Sequence, residues 1–203
     1  MDRPTPEDVQ PTGFIDSDSD SVRAFVDRVA VGAKDDHDVV AQLFAAVRDG
    51  IRYDPYNVSG DPTDYRASNV LASDRGYCVQ KSVALTAAAR AAGIPSRLGF
   101  ADVKNHLQSE KLRERMGTDL FVWHGYSTFF VGGRWTKASC AFNSELCERF
   151  GVKPLDFDGR EDALLHPFSG DGSRYMEYIH DRGTYADLPL DELLAGIRDT
   201  YGR

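Results

Sequence analysis

Residues 66–100 read RASNVLASDRGYCVQKSVALTAAARAAGIPSRLGF, and the fold turns on this stretch. From Cys78 to Ala92 it is rich in alanine and holds no Gly or Pro, so a helix propagates through it. Gly93 follows, with Pro95 just beyond, the usual punctuation of a helix C-terminus. Cys78 enters this helix directly after Gly76 and Tyr77. The first amides of a helix have no internal acceptors, and the helix dipole adds partial positive charge there. A thiolate at such a place is stabilised, so the position predicts a lowered thiol pKa and a nucleophile at neutral pH. The same N–H groups can donate to an oxyanion during acyl transfer, and Gly76 leaves room for a carbonyl beside the sulfur.

Working outward, helical spacing recurs upstream. Val22, Phe25, Val26 and Val29 follow the Asp/Ser run 16–21, and Val39, Val40, Leu43, Phe44 and Val47 follow Asp36 and Asp38. Residues 1–20 read as a polar, solvated lead-in that ends in a helix cap. The alternating Asp and Ser lack the Gly and the distant Glu of a calcium-binding EF-hand loop. Ser68 is positioned to cap a short helical turn through Val70 and Leu71 that ends near Gly76.

Downstream the period changes to that of strands, at Arg97 to Ala101, Gly125 to Val131 and Arg134 to Ser139. Gly132-Gly133 supplies the hairpin turn between the last two. The charged segment from Lys104 to Thr118 reads as a solvated excursion, with a lid over a cleft as its alternative. After Asn143 the pattern returns to helix and loop, with a turn at His166-Pro167-Phe168. A short apolar cluster at Met176, Tyr178 and Ile179 precedes an amphipathic helix through Leu190, Leu193, Leu194 and Ile197.

Composition sets the outer bounds. The 203 residues carry 24 Lys+Arg against 32 Asp+Glu, a net charge of -8, which disfavours nucleic acid as a partner. No run approaches the ~20 apolar residues of a membrane helix. The first residues lack the basic-then-apolar order of a secretory signal. Three cysteines without a CxxC pair, and no closely spaced Cys and His ligands, speak against a disulfide framework and a metal site.

A nucleophilic thiol needs a base, and five histidines compete. His37, His106, His166 and His180 read as surface, capping or core residues. His124 follows Trp123 at the start of a strand that can hold the imidazole rigidly opposite a helix N-terminus. Cys140 and Cys147 lack the helix-start setting and read as structural. The side-chain amide of Gln80, in the first helical turn, could reach the site, and Tyr53, Tyr77 and Trp123 could wall an acyl-binding groove. Helix surface and core are the plainer readings for them.

These residues resemble the transglutaminase-like superfamily, which has a papain-like core. Its pattern R-G-x-C, a helix, then A-x-G-I-P-x-R and a strand is matched by Arg75-Gly76-Tyr77-Cys78 and by residues 91–97, AAGIPSR. Its second motif, a His opening a strand, a Gly turn and a Trp on the return strand, is matched by His124, Gly132-Gly133 and Trp135. The resemblance covers about residues 40–143. It implies Cys78 as nucleophile and His124 as base. The family usually places Asp four residues after the Trp, and here that register falls on Ser139, which can orient an imidazole but brings no charge. Asn143 is the alternative, by analogy with Cys-His-Asn sites, while Asp156 and Asp158 lie farther along the chain.

The expectation is therefore one α+β domain over residues 21–203, a transglutaminase-like core with its nucleophile helix packed on an antiparallel sheet and with helical N- and C-terminal extensions. The expected function is cysteine acyl transfer on a peptide or protein amide through a thioester, as protease, amidase or transglutaminase. The expected setting is cytoplasmic, with no cofactor, metal, nucleic-acid or membrane partner. The alternative is a catalytically inactive member that binds a peptide or protein.

Overall fold

The computed structural model describes residues 3–105, 110–164 and 176–202. His106, His166 and the turn read at His166-Pro167-Phe168 lie outside them. At the centre is helix α4 (Cys78–Ala91), in which every residue from Cys78 to Arg90 is buried. Its alanines at 84, 87, 88 and 89 are fully buried and let neighbours approach on all sides. Three helices pack against it: α1 (Asp20–Val29), α2 (Asp36–Gly50) and α3 (Ala67–Ala72). A two-residue parallel pair, β1 (Arg52–Tyr53) with β2 (Arg75–Gly76), leads into α4.

The remaining flank of α4 is covered by a four-stranded antiparallel sheet. It contains β3 (Ser96–Asn105), β4 (Leu120–Val131) and β5 (Arg134–Ala138). Helix α5 (Glu110–Met116) lies between β3 and β4, and α6 (Ser144–Arg149) follows β5. Strand β6 (Met176–Tyr185) and helix α7 (Leu190–Tyr201) complete the chain, and the sheet order is β5-β4-β3-β6. Gly132 and Gly133, with φ of 61° and 83°, make the β4–β5 turn that a side chain would strain. The architecture is the α+β core that the sequence implies.

Three local readings are corrected. Met176–Tyr185 is a strand at the sheet edge, paired with β3, so the tail is not wholly helical. Ser68 does not cap α3; Arg66 occupies the N-cap position, while Ser68 donates its hydroxyl and its N–H to Asp16. Nor is the N-terminal stretch merely solvated. Ile15 is fully buried, and the nearly buried Asp8 pairs with Arg97 through bonds of 2.6 and 2.8 Å. Arg90, at the far end of α4, ties the same stretch down by donating to the carbonyls of Gln10, Ser96 and Ala186. Ser19 does cap α1, accepting from the Val22 N–H.

Lys81 is fully buried on α4 and donates to the carbonyls of Arg48 and Ile51, at 2.9 and 2.6 Å. These carbonyls lie at the C-terminal end of α2, where acceptors run short of intrahelical partners and a cation is favoured. Burial nevertheless drives the ammonium pKa down to about 8.

Two outcomes follow from this packing. A Cβ on Gly125 would lie 2.9 Å from Val79 Cα and 3.2 Å from Cys78 O, both backbone atoms that cannot yield. Gly125→Ala is expected to cost about 2 kcal/mol, a Tm lower by roughly 6 °C in thermal unfolding. For Lys81, the unfolded chain keeps its proton up to about pH 10.5, whereas the folded chain releases it above about pH 8. Stability therefore rises with pH across this window, and the term is absent at lower pH, where both states are protonated. Between pH 7.5 and 9 the wild type should gain about 1 kcal/mol relative to Lys81→Met in urea unfolding. Equal slopes for the two proteins would refute the assignment.

Candidate active site

The site forms where the start of α4 meets β4. Tyr77 takes the N-cap position and Cys78 is the first helical residue. Gly125 of β4 sits directly against the backbone of Cys78 and Val79, which is why no larger residue fits there. That contact brings His124, one residue earlier on β4, to the same cleft as Cys78.

His124 is presented by an irregular piece of strand. Between the pairs Ala101↔His124 and Val103↔Phe121, β4 carries one residue more than β3, a β-bulge. Trp123 within it has φ 57°, the one positive φ among described non-glycine residues, a conformation costly for a bulky side chain. Asp102 of β3 holds it. Its carboxylate accepts the Trp123 N–H at 3.1 Å and receives Arg182 of β6 through two bonds of 2.6 and 2.9 Å. The Arg182 guanidinium then stacks over the Trp123 ring at 4.6 Å.

The His124 ring is 4% exposed, and its Nε2 lies 3.2 Å from the Ser139 hydroxyl. Asn143 is engaged elsewhere, its side-chain oxygen accepting the Tyr53 N–H at 3.1 Å. Asp156 pairs with Arg48 and Lys153, and Asp158 accepts from the N–H groups of Arg160 and Glu161 within its own loop. Of the other histidines, His37 bonds the Gly159 carbonyl and His180 is exposed on β6. Cys140 and Cys147 are buried.

The electrostatics reverse one expectation. Burial pushes the Cys78 thiol up to about 11, against the opposing pull of N–H groups from Gly125, Val79 and Cys78 itself. Burial likewise pushes the His124 imidazole down to about 4. Both shifts favour the uncharged thiol and the uncharged imidazole over a thiolate–imidazolium pair. No hydrogen bond joins sulfur and ring among those formed by the described residues, and no carboxylate touches the ring. The cause is loss of water from two groups at once, which outweighs the partial charge of a helix start.

The cleft has a volume of about 380 Å3. Tyr77, Cys78 and residues 121–124 form its inner wall, the loop from Tyr53 to Gly60 one side, and α7 another. The charged excursion contributes too. Leu112 and Met116, one turn apart on α5, line the cleft, so this segment is not simply solvated. Gln80 is not on the helix surface: it is 3% exposed, accepting from Tyr77 N–H and Asn57 and donating to the Asp64 carbonyl. It thereby ties the cleft-side loop to the start of α4. Among the described residues no group of three or more His, Cys, Asp or Glu is placed to hold a metal ion, and no helix is long and apolar enough to cross a membrane.

Comparison with known proteins places these features in context. A putative cysteine protease from Cytophaga hutchinsonii superposes with a TM-score of 0.53 at 14% identity, covering 89% of this chain and 46% of that one, a likeness of fold. A putative protease from Parabacteroides distasonis ATCC 8503 gives a TM-score of 0.41 at 19% identity, over 57% of this chain and 22% of that one. The chain thus spans less than half the length of these solved proteins. No curated protein matches it. The model of the transglutaminase-like superfamily matches residues 23–140, more than half of the sequence. The chain belongs to the transglutaminase-like superfamily.

Proposed function

We propose that this protein is a cysteine acyl-transfer enzyme that acts on a peptide-like amide, with Cys78 as nucleophile, His124 as base and Ser139 as the residue that orients the imidazole. The observation that carries the reading is the shared cleft. Cys78 at the first position of α4 and His124 on β4 both open into it, with the sulfur set among backbone N–H groups.

With Nε2–H donating to Ser139, the His124 Nδ1 lone pair is free to accept a proton. Because both groups rest neutral, the thiol proton passes to Nδ1 as sulfur attacks the carbonyl carbon. The C–S bond forms and the carbonyl electron pair moves onto oxygen, where amides at the start of α4 stabilise it. Collapse breaks the C–N bond, the amine departs with the proton from His124, and a thioester remains on Cys78. Water then yields the acid, which is hydrolysis; an amine would yield a new amide, which is transamidation. A protein of net charge -8 with a cleft open to solvent fits hydrolysis, as protease or amidase, and a cytoplasmic setting.

A second reading, a catalytically silent peptide- or protein-binding member, is favoured by one observation: the group beside the His124 ring is an uncharged hydroxyl. Incubation with a fluorogenic peptide-amide library, followed by intact-mass detection of a +acyl adduct, separates the two. Cys78→Ala and His124→Ala should each abolish turnover, at least ~10²-fold for the base. Absence of both turnover and adduct in the wild type would favour the silent member. Ser139→Asp supplies a carboxylate that favours imidazolium and so lowers the thiol pKa. Iodoacetamide labelling of Cys78 at pH 6.5 should then accelerate about tenfold for each pKa unit moved. An unchanged rate in a folded Ser139→Asp protein would remove Ser139 from the third position.

A further inference from the structure

One group in the cleft is left unused by that chemistry. Helix α7 presents Leu194, Ile197, Arg198 and Tyr201 to the cleft, positions spaced as one helical face. Tyr201 pins this face to β4, its hydroxyl accepting the Val122 N–H at 2.8 Å and donating to the Leu120 carbonyl at 3.0 Å. Arg198 is exposed at the mouth, and its side chain has no hydrogen bond or ion pair among the described residues. By contrast, Arg97 and Arg182 are each held by a carboxylate through two bonds. Arg198 is also the one described lining residue with a permanent charge, and no Asp or Glu is among the described lining residues.

We propose that Arg198 reads an anionic group on the substrate, so that the preferred amide carries a bulky apolar side chain and a carboxylate next to it. The proposal rests on the cleft being the substrate site described above. The wall offered by Trp123, Leu194 and Ile197 suits an aromatic or large aliphatic group. A guanidinium beside a low-dielectric wall is a planar two-point donor to a carboxylate. It also offsets, locally, the repulsion that a net charge of -8 exerts on an approaching anion. A cationic substrate would find no carboxylate among the described lining residues.

The test uses the full chain and two matched electrophiles, N-chloroacetyl-phenylalanine and its uncharged phenylalaninamide. In each, the Cys78 sulfur displaces chloride to form a thioether and the thiol proton is released. Rates are read by mass spectrometry and divided by the rate of the same reagent with glutathione. The wild type should favour the carboxylate about fivefold. Arg198→Gln should bring the ratio to about one, Arg198→Glu should invert it, and Arg198→Lys should keep part of it. A wild-type ratio of one, or a preference unchanged in Arg198→Gln, overturns the proposal. If His124→Ala labels with both reagents as fast as the wild type, the nucleophile reading fails by itself. Binding of N-acetyl-phenylalanine against its amide to Cys78→Ala, followed by tryptophan fluorescence, then decides Arg198 separately. A carboxylate preference lost in the Cys78→Ala, Arg198→Gln double variant sustains the proposal, and equal affinities reject it.

Discussion

Backbone meets backbone where Gly125 of β4 rests on the first turn of α4, and the rest of the molecule is arranged to permit that contact. The approach requires a glycine on the strand and small residues along the helix, which in turn let α1, α2 and α3 close in. It requires α4 to be fixed at both ends. Gln80 anchors the start through Asn57 and Asp64, and Arg90 anchors the finish through carbonyls of the N-terminal stretch, β3 and the segment after β6. Lys81, between them, fastens the helix to the end of α2. Gln80, Lys81 and Arg90 are thus fasteners, each donating to backbone carbonyls of a neighbouring element.

The same closeness explains the charge state of the site. A helix start stabilises an anion by at most ~2 kcal/mol, whereas complete burial shifts a titrating group by several pKa units. At Cys78 the second effect prevails, and the thiol sits near 11. At His124 no carboxylate opposes it, since the neighbouring oxygen belongs to Ser139. The proposed reaction would move a proton during attack instead of starting from separated charges, which would tie reactivity to how well a substrate is seated.

Much of the architecture was legible because local signals agreed with the final packing. The alanine-rich run with Gly93 and Pro95 behind it marked α4 to within a residue, and the Gly132-Gly133 pair marked the hairpin. Counting four residues on from Trp135 reached the position whose hydroxyl lies beside His124. Other features left no local trace. Strand β6 is an edge strand with Tyr178, Ile179 and His180 exposed, so its sequence does not alternate and the apolar cluster does not declare a strand. The part of α5 in the cleft wall was hidden because two apolar residues among many charges resemble a solvated surface. The direction of the Cys78 shift could not be read either, since burial belongs to the assembled cleft and not to the helix that starts there.

The bulge at Trp123 has a bearing on where the working unit ends. The imidazole is aimed by a left-handed tryptophan, the tryptophan is secured by Asp102, and Asp102 is neutralised by Arg182, more than forty residues beyond the stretch shared with the family. The recognisable core is thus smaller than the machine. The outermost strand, remote from the cysteine along the chain, helps to hold the backbone that carries the histidine.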